Sequence, residues 1–309
     1  MYDWNSPATL APLILSTAGL AVFYYHNTHL SREPFIRNSL FANSTAKAAY
    51  FGAFSHGILV YSLLFYMPLY FESAKHLSPV LSGAAILPYT LTTGISVIVT
   101  GLLITRTGKY RLYLRVGWIV TCLGIGLLLI LSKDTPSLAS ALIGVVGGSG
   151  LGIVWSAESF AAQASASQAD LPFAAAMFTF LRAVGQTVGV GLGGTIFQNV
   201  FRRRIERDPT FASYAGHLSQ DASAIVSTLN TLTAPEQQPL RELLISAYVE
   251  GFRVIWLVMS VVSALSAIVN VIWVKDMALG EALAVEHYVR DGKKRTIKTF
   301  TYPGSDNWI

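Results

Sequence analysis

The pattern of apolar and polar positions divides the chain into seven long apolar stretches: Pro7 to Tyr25, Lys47 to Phe71, Leu81 to Thr105, Leu112 to Leu131, Leu138 to Phe160, Phe178 to Val200 and Phe252 to Val274. Each approaches or exceeds the roughly 20 residues that carry a helix across a hydrocarbon core of about 30 Å. Lipid offers no partner to an unpaired backbone N–H or C=O, so every stretch is predicted as a helix. The fold class is therefore all-α, a polytopic membrane bundle of about seven transmembrane helices. Pro68 and Pro88 fall inside two of the stretches and predict kinks, since each removes a helix hydrogen bond.

Composition agrees with this pattern. The 309 residues are 52% hydrophobic and 13% charged, about half the charged share of a typical soluble domain. A net charge of +5 raises the question of nucleic acid. The cations lie in short loops and in the tail, however, where they report topology and touch anionic headgroups. The lipid bilayer is thus the expected partner, and nucleic acid is not. Cys122 is the single cysteine and sits in an apolar stretch, which leaves no disulfide framework and no metal-ligand spacing. No nucleophile and base pair or phosphate loop is visible either, so neither enzyme chemistry nor a cofactor is expected. The first residues lack a basic leader, and the first apolar stretch reads as a retained helix.

Loop charges set the expected orientation. Between the third and fourth stretches Arg106, Lys109 and Arg111 crowd a tight reversal, which marks the cytoplasmic side. Gly108 supplies the positive φ or close approach that so short a turn requires. Counting spans then puts Met1 outside, the polar region 201–251 outside, and the tail inside with Arg290, Lys293, Lys294, Arg295 and Lys298. Arg202, Arg203, Arg204 and Arg207 argue the opposite side for 201–251. Three parts follow: residues 1–45 as a linker helix and cytoplasmic connector, 46–275 as a six-helix unit with the outside loop 201–251, and 276–309 as a basic cytoplasmic tail. Asn43-Ser44-Thr45 is formally a glycosylation sequon that a cytoplasmic position leaves unused.

Polar and ionisable groups inside spans are the candidates for function, because a membrane helix carries them only at a cost. His56 can change charge near neutral pH, although a lone intramembrane histidine also serves as a hydrogen-bonded structural residue. Glu158 and Arg182 stand on consecutive spans and are expected to form a charge pair that gates the inner mouth or fixes helix position. Gln186 follows Arg182 by one turn on the same face. Tyr61, Tyr89 and Trp155 suit an apolar cavity, whereas Trp118 reads as part of the interfacial aromatic belt. Gly144, Gly148 and Gly152, and again Gly185, Gly189 and Gly193, recur every four residues. Such bare strips let helices approach closely in lipid.

Three stretches resemble a known family. Gly101, Arg106, Gly108, Lys109 and Arg111 resemble the Gly-x4-Arg-x-Gly-Arg/Lys-Arg/Lys loop motif of the major facilitator superfamily. Phe180 to Asn199, an Arg-x-x-Gly pattern opening a glycine-rich span that ends in Phe-Gln-Asn, is similar to the penultimate helix of the fungal-type 14-helix drug:proton antiporters in that superfamily. Phe71 to Gly101 is similar to their tenth helix and its leading loop. The resemblance covers nearly all of the chain and implies helices eight to fourteen, a linker helix plus the C-terminal six-helix half. It implies proton-coupled efflux of amphipathic small organic molecules such as drugs or toxins, with protons and substrate as partners. It also implies a multi-pass protein of the plasma membrane, with the vacuolar membrane as the alternative. The family's N-terminal half has no counterpart here. The chain is therefore expected to act as an incomplete transporter that needs a missing N-terminal half or a second copy. A non-transporting membrane protein acting by helix association is the other class considered.

Overall fold

The computed structural model describes residues 6–31, 34–220, 226, 229, 232 and 234–275; the basic tail 276–309 lies outside them. The described residues form helices and connectors with no strand. The helices are α1 (Pro7–Tyr25), α2 (Ser44–Lys75), α3 (Pro79–Ala85), α4 (Leu87–Thr107), α5 (Tyr110–Leu127), α6 (Ser137–Ala164), α7 (Leu171–Glu206), α8 (Ala215–Gln220) and α9 (Gln238–Trp273). Seven helical segments are long and apolar enough to cross a membrane, and the chain is a multi-pass membrane protein. Apolar side chains such as Leu91, Ile95, Leu257, Val261 and Leu265 stand exposed on the outside of the bundle. Against lipid tails they carry no penalty.

The centre of the bundle is α2, which packs against α6, α7 and α9, while α6 also packs against α4 and α5. Its register is fixed at both ends. At the start, Asn43 caps the helix by accepting from the Ala46 N–H at 2.7 Å and donates to the Ser165 carbonyl at 3.0 Å. The asparagine of the formal sequon is thus a helix cap. At the far end, the Lys75 ammonium donates to the carbonyls of Lys133 and Thr135, at 2.6 and 2.5 Å. That contact ties α2 to the turn between α5 and α6. By contrast α1 buries none of its residues. It runs into a π-helical turn at His26–Leu30, where buried Asn27 bridges to the Phe35 N–H and the Ile36 carbonyl.

Both glycine strips lie at helix contacts. A Cβ on Gly148 or Gly152 would strike the backbone carbonyl of Tyr89 or Thr93 on α4. One on Gly185 or Gly189 would strike the carbonyl of Phe54 or Ile58 on α2. Gly144 approaches Tyr89 and Pro88, and Gly193 faces the ring of Tyr66. Small residues let these backbones touch where lipid supplies no hydrophobic drive. In the reversal between α4 and α5, Gly108 adopts φ 68° and its N–H closes on the Ile104 carbonyl at 2.8 Å. Gly101 and Arg106 lie in the last two turns of α4, Lys109 is the N-cap of α5 and Arg111 lies in its first turn.

Three expectations are corrected. The third span is not one kinked helix, because the chain breaks at Ile86, with Pro88 in the first turn of α4, where a missing N–H costs nothing. Pro68, instead, lies within a continuous α2. The range 201–251 is not a loop at its ends: α7 runs on to Glu206, and α9 begins at Gln238. Each holds 36 residues, about 54 Å at 1.5 Å per residue, well beyond a hydrocarbon core of about 30 Å. Their overhangs zip together through Phe197, Phe201, Tyr248 and Phe252, whose ring centroids lie 5.0 to 6.2 Å apart. The arginines of this range are partly neutralised. Arg204 and Arg207 both reach Glu250, at 3.5 and 3.4 Å, and Arg202 pairs with Glu206 at 2.7 Å. Third, Trp118 is not part of an interfacial belt but is fully buried among the helices.

Candidate functional site

Three helices bring polar groups together inside the membrane-spanning part. On α2, Gly52 and His56 are one turn apart. On α6, Leu151, Trp155 and Glu158 follow at spacings of four and three and share one face. On α7, Arg182 and Gln186 flank Gly185, whose bare face allows α7 to reach the α2 backbone. Gly57 completes this approach: a Cβ there would meet the Arg182 carbonyl and the Gln186 N–H.

The hydrogen bonds within the cluster fix their own directions. The Arg182 guanidinium has only donors, so its Nε donates to His56 Nδ1, at 3.2 Å. With Nδ1 accepting, the ring proton belongs on Nε2, which donates to the Leu151 carbonyl at 3.0 Å. The network thus assigns a neutral, Nε2-protonated His56, fully buried and used at both nitrogens. A second proton on Nδ1 would face the guanidinium and break its contact. Arg182 also lies over Trp155, its central carbon 3.6 Å from the ring centroid. Such a contact contributes from about 0.5 kcal/mol where exposed to about 2 where desolvated. Both Arg182 and Trp155 remain partly exposed. The cation is therefore held by α2 and α6 but still presented on the face of the bundle.

Gln186 is partly exposed one turn beyond Arg182, and Tyr61 is partly exposed within electrostatic reach of it. Tyr89 is buried, also within electrostatic reach of Arg182, and lines a small cavity with Leu63, Met67, Ile125, Ile143 and Ser140. Glu158 and Arg182 do not form the expected ion pair, because Arg182 is committed to His56 and Trp155. Glu158 instead lies inside the bundle at zero exposure, against Gly52 of α2 and Asn270 of α9. The Trp118 indole faces its carboxyl without closing a hydrogen bond, and neither carboxyl oxygen has a partner. The Trp155 and His56 contacts to Arg182 were not legible beforehand, since spacing along one helix says nothing about the register of another. Among the described residues no group of histidine, cysteine and acidic side chains is placed to hold a metal ion.

On the cytoplasmic side of the expected topology, Arg37 bonds Asp170 at 2.8 Å and lies over the Phe173 ring at 3.5 Å. This clip joins the connector after α1 to the start of α7. The sequence reading did not single it out, although a half-buried arginine pairing across 133 positions leaves no local signal.

Comparison of the sequence with known proteins identifies a family. The profile described as Major Facilitator Superfamily matches residues 2–190. The chain is 39% identical over 267 residues to "MFS transporter L2" of Phoma sp., covering 86% of this chain and 44% of that protein. It is 27% identical over 299 residues to "Efflux pump FUS6" of Gibberella moniliformis, covering 94% of this chain and 52% of that protein. It is 27% identical over 264 residues to "Efflux pump dotC" of Dothistroma septosporum, covering 85% and 45%. The chain spans about half the length of these curated relatives.

Proposed function

Because this chain belongs to the major facilitator superfamily, we propose that it takes part in proton-coupled efflux of amphipathic small organic molecules, with the Arg182 face as one wall of the substrate path. One observation carries the reading: a guanidinium is held at membrane depth by Trp155 and His56 yet left partly exposed. A charge in a span is costly and is retained where it meets a water-filled path, a substrate or a partner. Arg182 and Gln186 supply polar contacts to a substrate, and Trp155 and Tyr61 supply aromatic surface for its apolar part. Gly185 and Gly189 keep α7 close to α2, so these side chains stay in register.

A face of this kind is disfavoured against lipid and works opposite a second unit. In this superfamily's mode of action, substrate sits between two six-helix units that rock about it. The facing unit is a second six-helix half or a second copy of this chain. The names of the relatives that are efflux pumps, such as FUS6 and dotC, support export as the direction. The plasma membrane is the proposed site of action.

The test uses sealed vesicles from cells that express the chain, loaded with a fluorescent amphipathic dye under an imposed pH gradient. Dye movement driven by the gradient, and lost in Arg182→Gln, is expected. Movement that ignores the gradient, or that Arg182→Gln leaves unchanged at equal protein level, refutes the reading.

A further inference from the structure

The buried carboxyl of Glu158 has no place on the substrate face, and its surroundings are unusual. It has zero exposure and no partner at either oxygen. Around it stand Gly52 of α2, the Trp118 indole of α5 and the Asn270 amide of α9, whose own Oδ1 is also buried without a partner. These three groups are neutral. The charged and titratable groups of the packed elements are few. From α7, Arg182 acts on Glu158 through space but is spent on His56 and Trp155. From α2, His56 is fixed neutral by its two hydrogen bonds. From α5, Arg115 lies one turn before Trp118, and α9 contributes only neutral Asn270 at this level.

An ionised carboxylate in such a place is unpaired and desolvated, which is strongly disfavoured. A carboxylic acid in the same place costs only an imperfect hydrogen bond. We propose that Glu158, with Trp118 and Asn270 around it, is a proton-binding site set inside the six-helix bundle, one turn of α6 away from the Arg182 face. It rests on the proton-coupled reading above and assigns the proton to a residue.

The geometry also links the two sites. Trp155 and Glu158 are neighbours on one face of α6, and Gly52 and His56 are neighbours on one face of α2, so both helices touch both sites. The step moves a proton and nothing else: Glu158 releases H⁺ to water when the bundle opens its interior, and Arg182, which already acts on it through space, turns to the carboxylate left behind. A substrate that takes the place of Arg182 against Trp155 frees the guanidinium to turn toward Glu158 and favours the ionised form, so substrate binding expels the proton; without substrate Arg182 stays on His56 and Trp155 and the acid keeps its proton. Glu158 thus loads and discharges with the state of the substrate face.

Gly52 shows how little room the site has. A Cβ there would collide with the Glu158 carboxyl and the Asn270 amide. The bare helix face is what admits the acid.

Infrared difference spectroscopy of the purified full chain in lipid nanodiscs tests the site without transport. At neutral pH a carbonyl stretch of a protonated carboxylic acid is expected, shifted by deuterium exchange and absent in Glu158→Gln. No such band in the wild type, or an undiminished band in folded Glu158→Gln, overturns the proposal. If Glu158→Gln does not yield monodisperse protein, Glu158→Asp replaces it: a displaced band supports the assignment, and an unmoved band overturns it. Loss of dye transport does not enter this measurement, so the site and the export reading fail separately.

Discussion

Gly185 gives the sharpest test of how this bundle is held together. In Gly185→Ala the new Cβ meets the carbonyl oxygen and carbon of Phe54, atoms of the α2 backbone rather than the tip of a mobile side chain. To make room, α7 must lift from α2, and the Arg182 and Gln186 contacts on either side lift with it. Overpacking of this kind costs about 1–3 kcal/mol. Replacing glycine by alanine within a helix returns about 0.5–1 kcal/mol. The net loss is then roughly 0–2.5 kcal/mol, while the gap to a glycine-to-alanine change without the clash is the full overpacking cost of about 1–3 kcal/mol. Gly191 lies on the same helix with nothing near its would-be Cβ, so Gly191→Ala keeps the gain without the clash and serves as the internal control. Denaturant titration of the two variants in a mild detergent, followed by tryptophan emission, measures the difference. If Gly185→Ala unfolds at the same midpoint as Gly191→Ala, the close approach of α7 to α2 is not what the structure shows, and the positioning of Arg182 loses its basis.

Three further outcomes are expected. Arg182→Lys keeps the charge but loses the flat, forked group that both covers Trp155 and donates to His56, so dye affinity in nanodiscs falls about 5- to 30-fold, for roughly 1–2 kcal/mol of lost contact; an unchanged affinity excludes Arg182 from the site. Gly108→Ala puts a Cβ into open space but at φ 68°, so its cost is conformational alone, about 1–2 kcal/mol, and Gly108→Asn recovers part of it in the same titration; equal stability of all three chains removes the strain argument. His76, in the loop after α2, accepts from Arg241 at 3.0 Å, and burial, then the Arg241 charge, holds its ionisation below the ordinary value near 6.5. With the folded value below the unfolded one, this contribution is fully present above the ordinary value and is lost as pH falls through the folded value; thermal stability is expected to decline on acidification below about 6.5, and His76→Gln should flatten that part of the curve.

How much of this was legible depended on the range of the signal. The seven spans are read directly from hydropathy because lipid imposes one rule on every segment. The break at Ile86 was missed because Pro88 inside an apolar run reads equally as a kink or as the first turn of a new helix. The overhang of α7 was hidden by Arg202, Arg203 and Arg204, although Phe197, Phe201 and Ile205 keep a four-residue apolar spacing through them and are buried. The candidate residues His56, Glu158 and Arg182 stood out as costly groups in spans, and Trp155 as an aromatic suited to a cavity. Their pairing did not. Arg182 takes His56 and Trp155 rather than Glu158 because the Glu158 carboxyl is turned inward against Gly52 of α2, and interhelical register is a property of the whole bundle. Trp118 was misplaced for the same reason: its position along α5 does not say which face of that helix is covered.

The proposed competition between substrate and proton, through the Arg182 face and Glu158, can be measured on the chain itself. The purified protein in nanodiscs is titrated with the amphipathic dye in weakly buffered solution containing a pH indicator. Proton release that saturates together with dye binding, and that Glu158→Gln abolishes while dye still binds, is the expected result. Dye binding with no proton released contradicts the account.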